Sequence, residues 1–136
     1  MRRKLVNLAK VFSMLLFVPT VGLLIVLAVH HGMLQLKVAF ADEQVRVFED
    51  MKQSASNTND PHQIAGFLGY TVSYYPSGTK QVAGTPLDRI VEASRADAVA
   101  TIIARFRLVT GRDLGGKPAP WLREYTPSST PATHPN

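Results

Sequence analysis

The 136-residue chain contains no cysteine. That absence excludes disulfide frameworks, thiolate zinc sites, haem attachment through paired cysteines and thiol nucleophiles. Histidine is scarce: the four are the adjacent pair His30 and His31, then His62 and His134. Neighbouring helical residues point about 100° apart, so His30 and His31 cannot close on one ion from a single helix face. Clustered positive charge is missing from most of the chain. The formal net charge is +5, but Arg2, Arg3, Lys4 and Lys10 carry four of those charges ahead of the first long apolar run. Beyond them, eleven Lys and Arg face ten Asp and Glu. A phosphate-binding surface needs concentrated cations that release counterions, so no nucleic-acid partner is expected. Familiar catalytic patterns are absent too. There is no Gly-x-Ser-x-Gly elbow and no His-Glu-x-x-His helix. SGTKQ, residues 77–81, brings Gly, Thr and Lys together without the G-x-x-x-x-G-K-[ST] order of a P-loop. No catalytic residue, cofactor or metal ligand is assigned.

What the chain has in quantity is one uncharged apolar run, VFSMLLFVPTVGLLIVLAV, opened by Val11 and closed by Val29. As a helix it extends about 28 Å, close to the roughly 30 Å of a bilayer's hydrocarbon core. Pro19 is expected to kink it without breaking it, as membrane helices tolerate proline. The segment is assigned as a transmembrane helix over residues 11–31, preceded by a basic head over 1–10. A cleaved signal peptide is the competing reading, because Ala39-Phe40-Ala41 has the small-x-small form of a cleavage site. The run exceeds the usual 7–15 residues, and about ten residues part it from that triplet, so an uncleaved signal anchor is preferred. Arg2-Arg3 before Leu5-Val6 also loosely matches a twin-arginine signal, in a run more apolar than that pathway prefers. The four leading cations place the amino terminus in the cytoplasm by the positive-inside rule. The remainder is expected on the extracytoplasmic side.

The pattern after the span remains helical. Leu34, Val38, Val45, Phe48 and Met51 follow three- and four-residue steps apart from one gap of seven. Asp42 with Arg46, and Glu49 with Lys52, are ion pairs at helical spacing. These features predict an amphipathic juxtamembrane helix over 32–53, a candidate stalk, ended by the turn-forming SASNTN. Residues 60–125 are expected to form a small helical domain. Asp60 caps its first helix, Pro61 takes the first position and Gln63 completes a capping-box spacing. Ile64, Phe67, Leu68, Val72 and Tyr75 make the apolar stripe, and Pro76-Ser77-Gly78 stops it. Thr85 and Pro86 open the next helix, with Asp88 in its first turn. Leu87, Val91, Ala98, Ile102, Phe106 and Val109 mark its inner face. Arg105, Arg107 and Arg112 suit the negative end of its dipole, which accounts for them better than an anionic ligand does.

Gly111 is placed to adopt the left-handed conformation that ends that helix. After a spacer over 113–119, Pro120 starts a short helix carrying Trp121, Leu122 and Tyr125. A small domain buries little surface, so closing one open end with tryptophan stabilises it; a partner-binding aromatic patch is the alternative role for Trp121. Arg95 interrupts the inner stripe. It is expected to lay its stem along the core edge and pair with Glu92, which makes its loss cheap. The alternative is a buried charge contacting a ligand or partner in a cleft with Tyr74 and Tyr75. The proline-rich tail over 126–136 has no apolar pattern and is expected to be disordered.

Three motifs carry a resemblance. Ser77-Gly78-Thr79-Lys80-Gln81, then Leu87-Asp88-Arg89-Ile90-Val91-Glu92, then Thr110-Gly111-x-Asp113-Leu114-Gly115 with Pro118 and Trp121, resemble a family of small bacterial proteins with one amino-terminal membrane helix. The last motif, TG-x-DLG-x-x-P-x-x-W, is also similar to helix ends in some bacterial HEAT-repeat proteins. The likeness covers roughly residues 60–125, and the spacer Gly116-Lys117 departs from the acidic residues usual there. It implies helices and an anchor, and no activity.

The expectation is therefore an all-α protein with a single-pass anchor. Its function is expected to be that of a non-enzymatic interaction module tethered to the lipid bilayer, with a protein partner, as an accessory subunit of an envelope complex. The alternative is a membrane-tethered sensor of a small ligand. The candidate contact residues are Arg95, Tyr74, Tyr75 and Trp121.

Overall fold

A computed structural model describes residues 2–126, with side chains from residue 13 onward. It is all-α: α1 Arg2–Ser56, α2 Pro61–Ser73, α3 Pro86–Thr110 and α4 Pro118–Tyr125, with no strand among the described residues. The chain divides into two units at Val38 and Ala39. The side chains of the basic head, and the tail beyond Thr126, lie outside the described residues.

The first unit is the leading part of α1. Among the described residues this is the one helix long and apolar enough to cross a membrane, with a mean hydropathy of 2.2. Its Leu, Val, Ile, Met and Phe side chains from Met14 to Val38 are exposed, with no described residue packed over them. Pro19 lies inside α1 without ending it. The Thr20 hydroxyl donates to the Leu16 carbonyl at 2.7 Å. A hydroxyl within an apolar run thus finds its acceptor one turn back on the same helix.

The second unit combines the rest of α1 with α2, α3 and α4. Its helix ends are built from local chemistry. The Asp60 carboxylate accepts the His62 amide at 2.9 Å, and Pro61 occupies the first turn, where a missing N–H costs nothing. The capping box expected at Gln63 does not form. Gln63 Oε1 instead accepts the Thr58 hydroxyl at 2.9 Å, and Thr58 Oγ1 accepts the Asp60 amide, so a residue outside the helix satisfies the cap. Thr85 caps α3, and Gly111 ends it at φ 65°, a conformation that glycine adopts without a Cβ penalty.

Two apolar clusters fill the unit. The larger joins Ala55 of α1, Ile64, Ala65 and Leu68 of α2, Ile102, Ile103 and Phe106 of α3, and Trp121 of α4. The smaller joins Ala41 and Phe48 of α1 to Val91 and Ala98 of α3, with Tyr74 and Leu87 against it. The compact unit therefore starts at Ala39, and the stretch read as a stalk supplies its first core helix. The inward positions of that helix are Ala41, Gln44, Phe48 and Ala55, while Leu34 and Val38 are exposed. Residues 54–56, read as turn, continue α1. Neighbours explain both shifts, because Ala and Gln become interior only where another helix covers them. The expected ion pairs are present, Arg46 with Asp42 at 2.8 Å and Lys52 with Glu49 at 3.0 Å. Lys52 also reaches Asp97 of α3 at 2.6 Å.

The stripe assigned to α2 is shorter than expected. Ile64 and Leu68 are buried, but Val72 and Tyr75 are exposed and Thr71 is the inward residue of the last turn. The helix ends at Ser73, before the proline. Tyr75 precedes Pro76, which disfavours helical backbone, and it sits at φ 40° in the left-handed region. α4 starts at Pro118 rather than at Pro120.

The α2–α3 loop folds around Asp88. Ser77 Oγ lies 2.8 Å from both carboxylate oxygens, and the Gly84 amide donates to Oδ2 at 2.8 Å. The Gly84 amide first, then the Ser77 hydroxyl, holds the Asp88 carboxyl below the usual carboxylate range. A carboxyl lowered by folding stabilises the fold fully above the unfolded pKa, and that contribution disappears as pH falls through the lowered value. Asp88→Asn is accordingly expected to melt below the parent at neutral pH. The gap should shrink under about pH 4, where the carboxyl of the unfolded chain takes up a proton before that of the fold does. Circular-dichroism melts of the full chain in micelles at both pH values decide this; an equal gap at the two would remove the charge from the account.

Candidate functional site

Four side chains were singled out by sequence as contact candidates, and the fold distributes them. Trp121 is completely buried. Its ring stacks on Phe106 with centroids 4.8 Å apart, and its Nε1 donates to the Gly115 carbonyl at 2.9 Å. A fully buried indole has no face left for a partner; it closes the larger core cluster.

Arg95 is buried as well. It stands on α3 between Val91 and Ala98, so the apolar face of that helix carries it into the smaller cluster. Its guanidinium lies 5.0 Å from the Phe48 ring centroid. Nη1 donates to the carbonyls of Thr71 and Val72 at 3.2 and 3.1 Å, and Nη2 to that of Tyr75 at 2.6 Å. The expected Glu92 partner is present at 3.3 Å from Nη2, yet the carbonyls dominate. The last carbonyls of any helix lack partners within it, and a rigid fork of donors is suited to collect them. Arg95 is thus a C-terminal cap for α2 supplied by another helix. This corrects the picture of an arginine merely bordering the core.

Tyr75 receives a second donor, Gln44 Nε2 at 3.2 Å. Two side chains therefore hold its carbonyl, which offsets the cost of positive φ at a bulky residue. Tyr74 is half-buried, its hydroxyl donating to Glu43 at 3.2 Å. Burial, then the Glu43 charge, pushes its phenol upward. The Lys80 ammonium rests 4.4 Å from the Phe40 ring centroid and 4.3 Å from that of Tyr75. Arg95, Tyr74 and Tyr75 are thus brought together, but the Arg95 Nη donors serve backbone carbonyls and the Tyr74 hydroxyl serves Glu43. Lys80 joins them unforeseen, since its contact with Phe40 spans the loop and α1.

The three arginines grouped at the end of α3 are similarly engaged. Arg105 donates to the Thr58 carbonyl at 3.0 Å and to Asn59 Oδ1 at 2.7 Å. Arg107 pairs with Asp113 at 2.9 Å, and Arg112 with Glu124 at 2.5 Å. Among the described residues no group of three or more His, Asp or Glu is placed to hold a metal ion.

Sequence reasoning missed an open groove of about 410 Å³ between α1 and α2, lined by Val47, Asp50, Met51, Gly66, Phe67 and Tyr70. One signal could have found it: Gly66 sits mid-helix, where glycine is unfavourable. An ideal Cβ built there would meet nothing within 4 Å. In composition the groove is apolar, with the single carboxylate of Asp50 among its lining residues. No protein-family model, curated protein or solved structure matches the chain.

Proposed function

We propose that the protein is a single-pass, membrane-anchored interaction module without enzymatic activity, an accessory subunit of an envelope complex. Residues 39–126 would carry the binding surface on the extracytoplasmic side. The observation that carries this reading is the open apolar groove between α1 and α2, whose lining holds one carboxylate and no cation or histidine. Binding through such a surface needs a partner with its own apolar face, whereas catalysis needs titratable groups free to act. The sensor alternative relied on a cleft built from Arg95, Tyr74 and Tyr75. Arg95 spends its Nη donors on three carbonyls, which weighs against that reading.

The anchor draws support from the exposed apolar stretch of α1. Retention of that stretch draws support from Ala41, which is buried inside a helix rather than placed on an accessible extended segment. Orientation rests on Arg2, Arg3, Lys4 and Lys10 ahead of the span. A reporter active only outside the cytoplasm is expected to be active when fused after Asn136, and a cytoplasm-only reporter silent. The reverse pattern would overturn the orientation. Affinity capture of the full chain from gently solubilised membranes tests the module itself, with one protein expected to co-purify at a fixed ratio. Recovery of the bait alone would count against it.

A further inference from the structure

We propose that the groove between α1 and α2 receives an amphipathic helix of a partner protein, seating two large apolar side chains one turn apart and a cation opposite Asp50. The inference rests on the interaction-module reading and supplies its surface and the partner's chemistry.

Three observations converge on this occupant. The first is shape. At about 410 Å³ the groove has the volume of a small ligand site. It lies open along one side, however, and a small ligand there would keep much of its surface in water. A helix laid between two helices covers the opening and reproduces ordinary helix packing, with anchors at i and i+3 or i+4.

The second is Gly66. Mid-helix glycine costs roughly 0.5–1 kcal/mol relative to alanine. Nothing inside the chain accounts for it, because a Cβ would point into open space. Gly69, one turn along, differs: a Cβ there would lie 3.5 Å from Leu122. A bare backbone lining a groove permits close approach by a second backbone.

The third is charge. Asp42 and Glu49 on the same helix are paired with Arg46 and Lys52. Asp50 is exposed at the groove and has no ion-pair partner among the described residues. A lone carboxylate beside an apolar groove sets register by selecting a cation. Tyr70 and Met51 add an amphipathic aromatic and an adaptable thioether, both favoured at interfaces.

The test uses the full chain in micelles and a synthetic panel of helical peptides of about 14 residues, bearing two leucines at i,i+3 or i,i+4 and one lysine at varied positions. At least one peptide is expected to bind saturably by fluorescence anisotropy. Replacing its lysine by glutamate, or its leucines by serine, should weaken binding about tenfold or more. Gly66→Leu fills the groove while favouring helix, so it should lower affinity about tenfold without lowering the melting temperature. Asp50→Lys should reverse the preference between the lysine and glutamate peptides. The proposal is overturned if no peptide binds, or if Gly66→Leu binds as the parent does. It is equally overturned if Gly66→Leu abolishes self-association, which would make a second copy the occupant. Capture from solubilised membranes separates the two readings. A partner held equally by parent and Gly66→Leu removes the groove and leaves the module, whereas a bait alone in both cases removes the module.

Discussion

Replacing Trp121 by alanine is expected to cost about 3–5 kcal/mol, the range for large aromatic truncations in cores. Three contacts make the value large. The indole is fully buried, it stacks on Phe106, and its N–H satisfies the Gly115 carbonyl. Gly115 itself sits at φ 89°, so the turn that presents this carbonyl depends on glycine. The loss propagates through the same cluster. Tyr125 packs against Phe106 at 5.3 Å, and its carbonyl lies 2.8 Å from His62 Nδ1, which ties α4 to the start of α2. A domain of this size holds on the order of 5 kcal/mol in total, so Trp121→Ala should be close to unfolding at room temperature. Trp121→Phe keeps an aromatic on Phe106 and removes the donor to Gly115, with an expected cost nearer 1–2 kcal/mol beyond its smaller volume. Circular-dichroism denaturation of the full chain in micelles measures both. A Trp121→Ala variant that melts like the parent would sink the assignment of α4 as the lid of the core. Independently, the parent's emission should be blue-shifted, and Trp121 is the only tryptophan to report it.

The second large effect is expected at Arg95. Arg95→Met keeps an unbranched apolar stem and deletes the guanidinium, together with its contact on the Phe48 ring. Three carbonyls, those of Thr71, Val72 and Tyr75, then lose a donor. A buried acceptor left without a partner costs about 1–3 kcal/mol, but Val72 and Tyr75 are partly open to water, so about 2–4 kcal/mol is expected in all. Sequence reasoning anticipated a cheap loss, in the range of an exposed pair with Glu92. The reversal follows from which acceptors the guanidinium meets. Glu92→Gln removes only the longer 3.3 Å contact and should change stability by less than about 1 kcal/mol. Arg95→Lys should fall between the two, because one ammonium cannot span three carbonyls as a planar fork does. Melting midpoints of the three variants rank these outcomes. Equal stability of Arg95→Met and the parent would show that water replaces the guanidinium and that Arg95 is no cap.

The features legible along the chain are those whose physics is local. Asp60 with Pro61, Thr85 with Pro86 and Gly111 mark helix ends because a cap acts on amides or carbonyls within one turn of itself. The apolar run closed by Val29 is legible for a similar reason, since hydropathy sums over consecutive residues. Trp121 could be placed in the core because so large an apolar surface is costly to leave in water. Tertiary structure decided the rest, wherever a residue's environment comes from far along the sequence. Ala41, Gln44 and Ala55 became interior only because other helices cover them, and the Gln44 amide finds its acceptor 31 residues away. Arg95 became a cap because the end of α2, 24 residues earlier, lies across from it. The groove between α1 and α2 belongs to neither helix alone. Composition names the residues able to line it, but only the packing of two helices leaves Gly66 facing open space.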